Sequence, residues 1–89
     1  MNADSFRTVF VDRVRRFALE VDEDSGRTFV SIPVRNEYVE YSEWYEVDRA
    51  TFDRFAADPA RAHAFVEQAK RRELDHLLLH PPGRLRGEP

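Results

Sequence analysis

The spacing of apolar and polar positions divides this chain into a strand-rich first half and a helical second half. Phe17, Leu19 and Val21 alternate with Ala18, Glu20 and Asp22, the period of two that gives a strand one apolar and one polar face. The alternation stops at Asp22-Glu23-Asp24-Ser25-Gly26-Arg27, an acidic turn signal, and an apolar run resumes at Phe29-Val30-Ser31-Ile32-Pro33-Val34. Together they predict a β-hairpin from about Arg15 to Val34. Upstream, Phe6, Phe10, Val14, Phe17 and Val21 recur at helical intervals, yet Thr8-Val9-Phe10-Val11 is rich in strand formers, and the hairpin that follows decides for a strand. Pro33 has no N–H to give to a central ladder, which places it at an edge or a strand end.

Beyond Arg35-Asn36-Glu37, the stretch Tyr38 to Val47 reads as a third strand of the sheet. Asp48 follows as the N-cap of a short helix whose inward stripe is Phe52, Phe55 and Ala56. Asp58-Pro59 opens a second helix, with proline at the first helical position and Ala62, Phe65, Val66 and Ala69 on one face. Continued at about 100° per residue, that helix would carry Leu78 and Leu79 off its apolar stripe. It is therefore predicted to end near Glu73 to Asp75, leaving Leu77-Leu78-Leu79 as a short fourth strand. Pro81-Pro82-Gly83 ends regular structure. The predicted fold class is α+β, a small antiparallel sheet packed against two helices, with one domain at residues 1–83 and a mobile basic tail at residues 84–89.

Composition narrows the function classes. A chain of 89 residues has room for one core, and its 42% hydrophobic content makes it globular. There is no cysteine, which removes disulfides and thiolate metal sites. The N-terminal Met-Asn-Ala-Asp-Ser-Phe-Arg contains no apolar run of signal-peptide length, and no window approaches the roughly 20 apolar residues of a membrane span, so a cytoplasmic location is expected. Arginine outnumbers lysine thirteen to one, a bias typical of high-GC bacterial coding.

Charge changes the picture more than its net value of −3 suggests. Residues 20–48 hold nine acids against two arginines, while the segments on either side are each slightly basic. An acidic middle third steers basic partners and repels nucleic acid. Lys70-Arg71-Arg72 points three ways on a helical wheel, and a pI near 5.6 is far from the footprint of a nucleic-acid module, so nucleic acid is not the expected partner.

Candidate chemistry is sparse. Glu73, His76 and His80 have the intervals of a two-His, one-carboxylate metal site on a continuous helix, but the leucine run and Pro81 argue that no helix continues there, so they are weak candidates and no metal or other cofactor is expected. No nucleophile elbow or phosphate loop occurs among three glycines, and no catalytic residue is assigned. What remains is Tyr38 to Val47, which holds the sole tryptophan, all three tyrosines and three glutamates. Alternation puts Val39, Tyr41, Tyr45 and Val47 on a core face with Glu43 among them, and Tyr38, Glu40, Ser42, Trp44 and Glu46 on the other. A buried Glu43 needs a bulge, a strand end, or a cation such as Arg13 or Arg15. Tyr38 and Trp44 among carboxylates resemble interface anchors, unless a helix covers them. The expected function is a small protein-binding protein that occludes a basic partner through Tyr38, Glu40, Glu43, Trp44 and Glu46, in the manner of immunity proteins and antitoxins. The alternatives are a homodimeric accessory domain and a ligand-binding α+β domain.

Overall fold

The computed structural model describes residues 5–89, and residues 1–4 of the expected domain lie outside it. Among the described residues the chain forms strands β1 (Phe6–Asp12), β2 (Phe17–Asp22), β3 (Thr28–Arg35) and β4 (Glu40–Val47), then helices α1 (Arg49–Ala57) and α2 (His63–Lys70). The strands pair as an antiparallel meander in the order β1-β2-β3-β4. The α+β class is as read from the sequence, with the amino-terminal segment as a full strand. No helix among the described residues is long and apolar enough to cross a membrane.

Both helices cover one face of the sheet. Phe17, Leu19 and Val21 of β2 join Val30, Ile32 and Val34 of β3 and Tyr45 and Val47 of β4 beneath Phe52, Phe55, Val66 and Ala69. The stripe expected for α1 is therefore Phe52 and Phe55, while Ala56 is exposed because a nine-residue helix lying on a twisted sheet meets it with fewer residues than its wheel suggests. Asp48 caps α1, its carboxylate accepting from the Thr51 N–H at 2.7 Å.

Asp58 makes no side-chain cap. Pro59–Ala62 instead forms a 3-10 turn, and α2 begins only at His63. At its other end α2 stops at Lys70, short of the expected Glu73 to Asp75. Arg72 takes φ of 62°, and the Arg72 and Glu73 N–H groups bond to the Ala69 and Gln68 carbonyls. That is a Schellman closure with arginine where glycine is usual. The leucine run does reach the sheet, but through one bridge rather than a strand: Leu78 lies against Tyr45, and the Leu79 N–H donates to the Trp44 carbonyl at 2.8 Å.

The helix-free face is dressed by its own side chains. Phe6 in β1 stacks on Trp44 in β4 with ring centroids 5.3 Å apart, although β2 and β3 lie between them. Three strand spacings amount to roughly 14 Å, so the two rings lean inward over the sheet, beside Phe29. Arg27 lies over the Phe29 ring and pairs with Glu46, completing the cover. Phe29 is thereby fully buried on a face without a helix.

Pro33 sits in an inner strand without loss. β2 pairs β3 only as far as Ser31, so Pro33 faces a side with no neighbouring strand, the side on which Arg35 exchanges backbone bonds with Glu88 at 2.9 Å.

Candidate functional site

The acidic-aromatic stretch divides into three environments. At the β3–β4 turn, the Asn36 carboxamide oxygen accepts from the Tyr38 and Val39 N–H groups at 2.8 and 2.9 Å, an Asx turn that fixes the tip. Tyr38 and Val39 project from it, 72% and 55% exposed, and Glu37 and Glu40 flank them. The Asn36 amide also donates to the Leu85 carbonyl at 2.8 Å, which brings Leu85, 60% exposed, beside the tip. Neither Glu37 nor Glu40 enters an ion pair among the described residues. The surface is mixed in charge, since Arg35 is the cross-strand partner of Glu40 and Arg84 lines the same crevice.

The second environment is buried. Glu43 points into the core, as alternation required, and its carboxylate is met by Arg86 at 2.9 and 3.2 Å and by the Tyr45 hydroxyl at 3.0 Å. Arg86 also forks onto Asp75 at 2.7 and 2.8 Å. The side chains of Glu43 and Arg86 are only 9% and 11% exposed, so this pair is desolvated. Its cation is neither Arg13 nor Arg15, and β4 keeps an unbroken register with β3; the bulge lies in β1, between Thr8 and Phe10. Residues 84–89, read from composition as a mobile tail, form a strap across the end of the helix-covered face. Arg86 enters the core, the Gly87 N–H donates to the Tyr41 hydroxyl at 2.7 Å, and Glu88 bridges to Arg35. Glu43 is thus an internal residue and leaves the candidate binding surface.

Electrostatics follow from these contacts. Burial, then the adjacent Glu43 carboxylate, pushes the Tyr45 phenol up. Hydrogen bonds that Arg86 donates to Asp75 and Glu43 hold it charged, and the same guanidinium keeps the Asp75 carboxyl below its ordinary value. A depressed carboxyl contributes stability that is present above its unfolded value, about 3.9, and is lost as pH falls through the folded one. The urea midpoint is therefore expected to fall below about pH 4, and Asp75→Asn should flatten that fall. An unchanged pH profile in the variant would remove Asp75 from the acid response.

The third environment is the helix-free face. Trp44 is half-buried there, its indole N–H donating to Glu20 at 2.9 Å and its ring stacked on Phe6. Glu46 is held by Arg27 at 2.9 and 2.5 Å, which lowers the carboxyl below its ordinary value. Trp44 and Glu46 are thus occupied within the chain.

The other candidates are also dispersed. Glu73 pairs with Arg71, His76 and His80 are exposed, and no group of three or more metal-ligating residues occurs among the described residues. The structure does not bring Glu73, His76 and His80 together because α2 has ended before any of them. The basic triplet is engaged internally, Lys70 with the Arg15 carbonyl, Arg71 with Glu73 and Arg72 with Glu88. Residues that sequence reasoning missed are Asn36, Arg27 and Arg86. An Asx residue opening a strand turn was a usable signal for the first; nothing in the sequence singles out the other two. The chain matches no protein-family model, no curated protein and no solved structure.

Proposed function

We propose that the chain is a protein-binding domain without chemistry of its own, which acts by covering a partner's surface through the β3–β4 tip. The observation that carries this is the clustering of Tyr38, Val39 and Leu85, all more than half exposed, on a turn that Asn36 holds rigid. Aromatic and aliphatic side chains presented on a fixed frame lose little entropy on docking, and exposed apolar clusters with a charged rim mark interaction sites. Glu37 and Glu40 at the rim favour a partner whose pocket is bordered by arginine or lysine. An immunity-protein or antitoxin type of action fits this reading, with Tyr38 as anchor.

A photo-crosslinking residue at position 38 identifies the partner in the cell of origin, and titration calorimetry then measures the contact. Tyr38→Ala is expected to weaken binding by roughly 30-fold or more, the size of a hot-spot loss near 2 kcal/mol. Its melting temperature should not move, because the ring is exposed. A partner bound equally well by Tyr38→Ala and Glu40→Arg would sink the proposal.

The homodimer reading keeps one observation in its favour. β1 is an outer strand with Val9 and Val11 exposed, and Val14 is exposed in the turn that follows, although the bulge and Arg7 blunt the edge. Sedimentation equilibrium decides it: a mass that stays monomeric to millimolar concentration removes a dimer.

A further inference from the structure

A groove on the helix-free face is independent of the tip. It has a volume of about 320 Å³ and is bordered by the β1–β2 turn on one side and by Thr8 and Glu20 on the other. Ala18, Ser31, Pro33 and Ser42 form its floor, so no long side chain rises from it. Arg13 and Arg16 line the turn side, and neither forms an ion pair among the described residues. The carboxylates nearby are already engaged. Asp12 caps the turn, accepting from the Val14 and Arg15 N–H groups, and the two Glu20 oxygens accept from Thr8 and from the Trp44 indole. At its turn end the groove thus offers a ligand the guanidiniums of Arg13 and Arg16, with the Asp12 carboxylate beside them turned to the turn amides and toward His63 at 4.0 Å, and the Ser42 hydroxyl at the floor.

Arg16 holds a left-handed conformation, φ of 58°, at a turn position where glycine or asparagine would be unstrained. The backbone thus carries a strain that a glycine would relieve, and the residue in that place is one whose side chain lines the groove.

We infer that this groove binds a small organic anion, with its carboxylate or phosphate between Arg13 and Arg16 and an uncharged, hydrogen-bond-donating body directed toward Glu20. The negative charge of Glu20 at the inner end disfavours a second anionic group at the far end of the ligand, and it sets the orientation. A bidentate fork from either arginine suits both carboxylate and phosphate oxygens.

The sole tryptophan makes the test direct, because its indole N–H, bonded to the groove residue Glu20, gives one isolated NMR resonance next to the groove. The full chain is titrated with glycerol 3-phosphate, inorganic phosphate, lactate and glycerol at constant ionic strength. Saturable shifts of the Trp44 indole and the Ser31 and Ser42 amides are expected with glycerol 3-phosphate or lactate, the stronger of the two identifying the anion class, and none with glycerol. Arg13→Ala and Arg16→Gly should each weaken the response at least tenfold. Arg16→Gly should also melt no lower than the parent, which separates loss of the ligand from loss of the fold. Shifts that fail to saturate, that persist in both variants, or that inorganic phosphate alone reproduces in full would overturn the proposal.

Discussion

Arg86→Met is expected to destabilise the protein by about 3–5 kcal/mol, the range for breaking a buried ion pair by removing one partner. The reason is the carboxylate left behind. Glu43 lies 9% exposed beneath the strap, and without Arg86 its remaining described partner is the Tyr45 hydroxyl, a single neutral donor. Asp75 loses its fork as well, but its side chain is 36% exposed and water can replace part of what it loses. Urea denaturation followed by Trp44 fluorescence measures the effect. Because a domain of this size holds only about 5–10 kcal/mol in total, the variant should be partly unfolded at 37 °C. Pairing it with Glu43→Leu should recover much of the loss, since replacing both charges by apolar groups is often close to neutral. A single variant costing less than about 1 kcal/mol would show that Glu43 reaches water or another cation instead.

Gly87→Ala is expected to cost about 1–3 kcal/mol, as overpacking commonly does. A methyl group on Gly87 would stand 2.7 to 2.9 Å from the nitrogen, carbon and oxygen of Arg35, which are backbone atoms of β3 and cannot swing aside. The strap would have to lift, weakening the Gly87 bond to Tyr41 and the Arg35–Glu88 bridge. Because Arg86 precedes it on the same strap, the effects of Arg86→Met and Gly87→Ala should be clearly less than additive. Full additivity would mean that the two residues act separately. The same denaturation series supplies the comparison.

Local rules carried most of the architecture. The alternation of Phe17, Leu19 and Val21, the turn at Asp22–Arg27 and the Asp48 cap concern residues close in sequence, where period and hydrogen-bonding chemistry are decisive. Reasoning failed where a contact spans the chain. Parity alone showed that Glu43 faced the core, but which of thirteen arginines would meet it depends on how the last residues cross the sheet. Composition suggested a tail because proline, glycine and arginine are common in tails; a strap uses the same residues, glycine for close approach and arginine for a buried acid. Trp44 misled in the opposite sense. Its face was correctly assigned, yet the cover came from Phe6 of the distant β1 rather than from a helix, and a contact that reaches across two intervening strands is not written in any single strand. The end of α2 was missed because arginine, not glycine, occupies the left-handed position.

The strap also bears on the order of events in folding. Each strand pairs with its neighbour in sequence, so the meander closes through short loops, whereas Arg86 meets Glu43 across 43 residues and Gly87 meets Tyr41 across 46. Loops that long close late, after the sheet has formed. The strap should then be absent from the transition state and act as a latch: its loss in Arg86→Met would appear as faster unfolding with the refolding rate nearly unchanged, and in the native protein it would be the first piece to open.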